Sequence, residues 1–243
     1  LQNRMTKAVK VGKWHLVTRL QYLLTHSLYA MLLAVKNVTQ NRGKRTAGID
    51  GAKWTTPNAK MNAALSLSDK RYKAKPLRRV YIPKPGSAKK RPLSIPTMYD
   101  RAMQTLYALA LSPVAESTAD ARSFGFRKYR SAQDVCEYAF ACLSTKGSAQ
   151  WVLEGDIKGC FDNINHDWLL ENIPMDKAIL KQFLTAGFVY NRPLKPTKEG
   201  TPQGGIISPL LGNMTLDELE MAIASRWHVT KRGIIDKRHC NPP

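Results

Sequence analysis

Between residues 16 and 38 the apolar positions Leu16, Leu20, Leu23, Leu24, Leu28, Met31, Leu32 and Val35 recur at three- and four-residue steps. That period predicts a single amphipathic helix with one buried face. The pattern stops at Asn41-Arg42-Gly43 and gives way to Thr46-Ala47-Gly48-Ile49-Asp50-Gly51, a turn-rich link that places a boundary near residue 51. Next come the β-prone run Arg79-Val80-Tyr81-Ile82 and the turn Pro83-Lys84-Pro85-Gly86, which predict two strands joined by a basic loop. Residues 100–111 return to helical spacing through Ala102, Met103, Leu106, Leu109 and Ala110, and Ser131 with Asp134 forms a capping box that opens a helix to Leu143. Both helices are expected to cover a sheet. Residues 151–156 read as a strand, followed by a turn at Lys158-Gly159. Short helices are expected at 167–172 and 176–186 on either side of Pro174, and a further one from Ser208-Pro209 to about residue 225. Strands and helices mix without regular alternation, so the class is α+β.

Charge changes the picture more than composition does. The 243 residues include 38 Lys and Arg against 18 Asp and Glu, a net +20, which calls for a polyanionic partner. Residues 1–100 carry 21 basic against 3 acidic side chains, whereas residues 101–243 carry 17 against 15. One half is therefore suited to binding and leaves the other free for catalysis. Ten of the positive charges lie between residues 70 and 91 with no acid among them. Such a run would repel itself without phosphates nearby, which favours nucleic-acid contact over a solvated edge that merely discourages sheet aggregation. No apolar run is long enough for a bilayer, and LQNRMTKAVK lacks the features of a secretory signal, so the expected setting is intracellular with no membrane partner. Cys136, Cys142, Cys160 and Cys240 show no zinc spacing and are read as reduced thiols.

Two segments carry chemistry. Leu153-Glu154-Gly155-Asp156-Ile157-Lys158-Gly159-Cys160-Phe161-Asp162 ends an apolar run on a carboxylate and follows it with a turn whose amides, from Lys158 to Cys160, can point at phosphate oxygens. An Asp in this position is also a common turn former. Gly200-Thr201-Pro202-Gln203-Gly204-Gly205-Ile206-Ile207-Ser208-Pro209 sets three glycines around a glutamine that both donates and accepts hydrogen bonds.

Together these segments resemble the reverse transcriptases encoded by group II introns, also called intron maturases. The resemblance extends through Thr46 to Gly51, Arg78-Arg79-Val80-Tyr81-Ile82-Pro83-Lys84, Arg91-Pro92-Leu93-Ser94-Ile95-Pro96-Thr97, Asp100-Arg101-Ala102-Met103-Gln104 and Ser123-Phe124-Gly125-Phe126-Arg127, in the family's order. Two departures stand out. Lys128-Tyr129 replaces the family's Pro-Gly, and the family's Tyr-Ala-Asp-Asp segment, expected soon after the basic stretch at residues 231–239, is absent before Pro243.

The resemblance implies a right-hand polymerase: fingers and the start of an antiparallel palm sheet covered by helices, with a helical N-terminal extension. It implies an RNA-binding extension at 1–51, basic fingers at 52–150 and the first part of the palm at 151–243, with thumb and DNA-binding or endonuclease domains elsewhere. The implied activity is RNA-directed DNA polymerisation combined with splicing assistance, with intron RNA, an RNA template and DNA primer, target DNA and deoxynucleoside triphosphates as partners, in a ribonucleoprotein of a bacterial cytoplasm or an organelle. Two Mg²⁺ ions are implied for the full-length enzyme, with Asp156 and the Ile157 carbonyl as ligands, Asp156 catalytic, and Glu154 more readily structural. Arg78, Lys84, Arg91, Phe161 and Gln203 match nucleotide-site residues, with Lys158, Gly159 and Cys160 as the phosphate-facing turn. Phe161 matches the aromatic that excludes ribonucleotides, against a simple packing role, and Asp162 is read as a turn cap. Arg4, Lys7, Lys10, Lys13 and Arg19, together with Lys89 and Lys90, are expected to contact RNA phosphates. By itself the 243-residue chain is expected to bind RNA without extending a primer. Competing readings are a splicing cofactor that does not polymerise and a reverse transcriptase of a bacterial defence or diversity-generating system.

Overall fold

The computed structural model describes residues 1–68, 71–86, 88–148 and 150–225. The basic stretch at 231–239 lies outside the described residues. Three helices lead, α1 (Gln2–Lys10), α2 (Trp14–Thr25) and α3 (Leu28–Gln40), followed by α4 (Pro57–Ser66). The hairpin strands β1 (Leu77–Pro83) and β2 (Lys90–Ile95) come next, then α5 (Met98–Thr118) and α6 (Ala132–Leu143). The rest comprises α7 (His166–Asn172), α8 (Lys177–Thr185), β3 (Phe188–Val189), β4 (Leu194–Lys195), α9 (Ser208–Leu216) and α10 (Leu219–Ala224).

The four-stranded sheet runs β2-β1-β3-β4, antiparallel except for the short parallel pair β1–β3. β1 and β2 pair from Arg78 with Ile95 to Pro83 with Lys90, and the expected basic loop joins them. Because side chains alternate along a strand, Arg78, Val80, Ile82, Arg91, Leu93 and Ile95 share one face, and Leu77, Arg79, Tyr81, Pro92 and Ser94 share the other.

α5 is the axis of the core. Its Met98, Ala102, Met103, Leu106 and Leu111 join Met31, Val35 and Val38 of α3, Ala63 and Ala64 of α4, Leu180 and Phe183 of α8, and Leu211 of α9. Met5 of α1 and Leu20 and Leu24 of α2 pack on Leu109 and Ala110 at the far end of α5. Thr97 caps α5 by accepting from Asp100 N at 3.1 Å, and Ser131 and Asp134 form the expected capping box of α6.

Four expectations need correction. The helix expected over residues 16–38 is two helices, parted where the Thr25 hydroxyl donates back to the Gln21 carbonyl at 3.0 Å and Ser27 turns extended. The helix expected from Ser208 to residue 225 is also two, because Asp217 turns aside to Arg127 and Glu218 takes φ 76°. Residues 151–156 form no strand: they pair with no neighbour among the described residues, and Trp151 and Leu153 are 93% and 97% exposed. A lone strand leaves its amides unpaired and does not persist as a ladder. Finally, α6 buries none of its residues, and α5 serves a helical core rather than a sheet cover.

Candidate nucleotide and nucleic-acid site

The loop from Gly200 to Gly205 is wedged between β2 and the 3-10 turn Cys160–Asp162. Gly200, at φ +79°, lies so close to the Phe161 and Asp162 carbonyls that a Cβ would sit 2.6 Å from each. At the other end Gly204 has φ +106°, and a Cβ there would lie 2.6 Å from the Ser94 carbonyl. Backbone bonds fix the wedge: Thr201 N donates to the Phe161 carbonyl and Ser94 N to the Gln203 carbonyl, both at 2.7 Å. The buried Gln104 of α5 accepts from Ile206 N at 2.7 Å, so the loop leaves the wedge tied to the core helix.

This packing presents Gln203 between two charged groups from distant parts of the chain. Its Oε1 accepts from Arg91 Nε at 3.5 Å, and its Nε2 donates to the Asp162 carboxylate at 3.4 and 3.5 Å. These contacts are long for hydrogen bonds, so the amide is oriented yet retains capacity for a ligand. Asp162, read from sequence as a turn cap, is thus the acidic neighbour of Gln203. The Phe161 ring is half-buried against Gly212 of α9 and meets Phe126 edge-on at 6.2 Å.

The remaining site residues lie on other segments of the chain. Asp156 and Lys158 are exposed on the irregular segment before the 3-10 turn, and the Ile157 carbonyl accepts from Cys160 N at 3.3 Å around Gly159. Lys84, Lys89 and Lys90 are exposed at the hairpin end, where Lys84 N donates to the Lys89 carbonyl at 3.1 Å. Arg78 donates from Nε and Nη2 to the Ala47 carbonyl at 3.1 and 2.8 Å. Arg4, Lys7, Lys10, Lys13 and Arg19 are all exposed, with Met5, Ala8 and Val9 turned inward from the same helix as the first three.

The motif arginines and acids prove to be anchors. Arg101 is buried and donates to the carbonyls of Pro96, Gly43 and Thr46 at 3.0, 3.0 and 2.7 Å, fastening the link after α3. Asp100 accepts from the Thr97 hydroxyl at 2.6 Å and the Tyr72 hydroxyl at 2.8 Å, while burial raises its carboxyl above the ordinary value and raises Tyr72 as well. Arg127 is fully buried and pairs with Asp217 at 2.7 Å and Glu116 at 3.3 Å. Sequence spacing flagged these motifs without their roles, since each also takes a partner from a distant element: Tyr72 for Asp100, Gly43 and Thr46 for Arg101, and Asp217 for Arg127.

Carboxylate and carbonyl oxygens are suitable donors for a hard divalent ion. Among the described residues, no group of three or more His, Cys, Asp or Glu is gathered to hold one, and Asp156 with the Ile157 carbonyl fills only part of an octahedral shell.

Residues 82–240 match the family model described as reverse transcriptase (RNA-dependent DNA polymerase), and residues 1–67 match the N-terminal domain of reverse transcriptase. The chain belongs to the reverse transcriptase family. It is similar to the group II intron-encoded protein LtrA of Lactococcus lactis subsp. cremoris, 40% identical over 214 residues that span 84% of this chain and 35% of that protein. It is also similar to Protein YkfC of Escherichia coli (strain K12), 32% identical over 224 residues, spanning 87% of this chain and 58% of that protein. The chain thus covers roughly a third to three-fifths of these relatives. Among solved structures, a chain of a partial Cas6-RT-Cas1--Cas2 complex shares the fold at TM-score 0.50 and 20% identity, covering 85% of this chain and 35% of that one. The α+β architecture of a reverse transcriptase is accordingly established, with group II intron-encoded proteins as its relatives. Among the described residues no helix is long and apolar enough to cross a membrane.

Proposed function

We propose that this chain forms the fingers and the start of the palm of an RNA-directed DNA polymerase serving a group II intron, which copies intron RNA and assists its splicing. The observation that carries the reading is the wedge, which brings Arg91 of the fingers, Gln203 and Phe161 to one edge of β2 from positions as much as 112 residues apart. Arg91 and Lys84 bind the triphosphate of an incoming deoxynucleotide, the Gly159 amide faces its phosphates while that of Cys160 closes the turn onto the Ile157 carbonyl, Gln203 orients it, and Phe161 closes on the sugar where a 2′-hydroxyl would sit. Arg78, bound to Ala47, couples the link after α3 to β1, the strand that leads into the loop with Lys84, and in this way steadies the fingers.

Residues 1–51 form the RNA-binding extension, 52–150 the fingers and 151–243 the start of the palm. The exposed basic residues of α1, α2 and the hairpin hold intron RNA, template and primer by phosphate contact, and target DNA enters the same protein at insertion. In the full-length protein Asp156 and the Ile157 carbonyl would contribute to holding Mg²⁺. The 243-residue chain alone binds RNA but does not extend a primer, because Asp156 and one backbone carbonyl supply too few oxygens for the near-octahedral shells of two such ions. The setting is an intracellular ribonucleoprotein.

The reading is tested by Arg91→Ala in the full-length protein. Its KM for deoxynucleotide in primer extension should rise about tenfold or more as the triphosphate loses a charged partner. Unchanged nucleotide KM would remove Arg91 from the site, and a wild-type protein that binds intron RNA without extending any primer would favour the splicing cofactor.

A further inference from the structure

The face of the sheet opposite Arg78 and Arg91 carries a cavity of about 320 Å³, enclosed by β1, β2, β3 and the loop at residues 196–203. None of Asp156, Lys84 or Arg91 lines it, although Phe161, Asp162 and Gln203 form the wall it shares with the nucleotide site. Two polar atoms there lack partners. Thr201 is only 2% exposed, lines the cavity, and its Oγ1 makes no hydrogen bond. Arg79 also lines it, with its guanidinium 3.8 Å above the Phe188 ring and its buried Nε unpartnered. Leaving such groups unsatisfied in a fold costs free energy, so each points to an occupant.

The lining selects the occupant's chemistry. Arg79 and Lys198 are offset by Asp162 and Glu199, so the cavity has no excess positive charge to capture a phosphate. Flat apolar surface comes from Phe161, Phe188 and prolines, and the polar atoms include both donors and acceptors. A heteroaromatic ring with mixed hydrogen-bonding edges fits these features. Beside the cavity on the same face, Tyr81 and Tyr190 form an edge-on pair at 5.0 Å and remain 42% and 37% exposed. Aromatic and arginine surfaces on a sheet are the stacking platform for unpaired bases, and the basic hairpin at the end of the same strands supplies backbone contacts.

We infer that this face binds single-stranded RNA by taking one unpaired nucleobase into the cavity, against Arg79 and the Thr201 hydroxyl, with a neighbouring base on the Tyr81–Tyr190 pair. The inference rests on the reading that the chain binds nucleic acid.

The test uses the whole chain with two variants that keep size or charge, Thr201→Val and Arg79→Lys. Fluorescence anisotropy compares a ten-nucleotide single-stranded RNA with a blunt RNA duplex. Each variant should weaken single-strand binding by about five- to tenfold, the equivalent of one buried hydrogen bond or one stacked base. Duplex affinity should stay within about twofold and the salt slope should not change, because no charge is lost. A 4-thiouridine in the single strand should photocrosslink within residues 188–203. Salt-sensitive RNA binding indifferent to both variants, with crosslinks elsewhere, would overturn this inference alone and leave solvent as the occupant. Efficient competition by free AMP would overturn it in favour of a mononucleotide. A wild-type chain without RNA affinity would overturn both this inference and the reading it rests on.

Discussion

Gly212 gives the finest control over the proposed sugar gate. A Cβ at this position would lie 2.8 Å from Phe161 Cε1, 3.4 Å from Cζ and 3.6 Å from Cδ1. Carbon atoms rest at about 3.5–4.0 Å, so Gly212→Ala requires the ring to withdraw by roughly 1 Å. Alanine is favoured over glycine inside a helix by about 1 kcal/mol, while overpacking costs about 1–3 kcal/mol. The two terms leave a net loss between zero and about 2 kcal/mol, a fall in Tm of at most several degrees. Folding therefore survives and the gate moves. Phe161→Val is the complementary change. It deletes a half-buried ring, costs about 1–2 kcal/mol, and opens space for a 2′-hydroxyl. Single-nucleotide extension by the full-length protein, with paired ribo- and deoxyribonucleotides, reads both variants. Phe161→Val should raise the ribonucleotide share of kcat/KM by about tenfold or more, the range for a pocket that gains room for a small group. Gly212→Ala should raise the deoxynucleotide KM while still rejecting ribonucleotides. If both variants lower Tm yet leave the sugar preference and KM at wild-type values, Phe161 is only packing between Gly212 and Phe126.

The remaining predictions concern the anchors. Burial holds the Asp100 carboxyl above 3.8 despite hydrogen bonds from Thr97 and Tyr72, so the folded chain binds this proton more tightly than the unfolded one. Its contribution is full below about pH 3.8 and is lost as pH rises through the raised value, so the Tm of wild type relative to Asp100→Asn should fall as the pH is raised from 3.8; parallel profiles would contradict this. Arg127→Met keeps bulk but strands the Asp217 carboxylate, whose side chain is 9% exposed, and urea unfolding should show a loss of about 3 kcal/mol. A loss under about 1 kcal/mol would mean that the ion pair contributes little.

Local chemistry was legible in the sequence wherever the signal and its partner lie within one turn. The capping box at Ser131 and Asp134, the helices on either side of Pro174 and the hairpin around Lys84 all formed as read. The apolar stripe from Leu16 to Val35 could not reveal the break at Ser27, because two helices packing on the same α5 need the same period as one. Residues 151–156 have strand composition, but a ladder depends on a partner strand, and the described residues provide none. Gln203 and Arg91 were singled out separately by motif. Their contact across 112 residues, and the involvement of Asp162, follow from glycines that admit backbone at 2.6 Å, which spacing does not encode. The bond from the Arg78 guanidinium to the Ala47 carbonyl spans 31 residues and was likewise not legible in spacing.

The central claim, that this chain contributes to a polymerase whose acid at position 156 is needed for synthesis but not for holding RNA, rests on one comparison. Full-length protein, wild type and Asp156→Ala, is assayed for Mg²⁺-dependent extension of a DNA primer on an RNA template and, in parallel, for intron RNA affinity. Extension should fall by at least about a thousandfold, as when a group acting on the transition state is removed, while RNA affinity changes by less than about twofold because Asp156 is exposed and a carboxylate makes none of the phosphate contacts that hold RNA. Extension persisting near the wild-type rate in the Asp156→Ala protein would contradict the account.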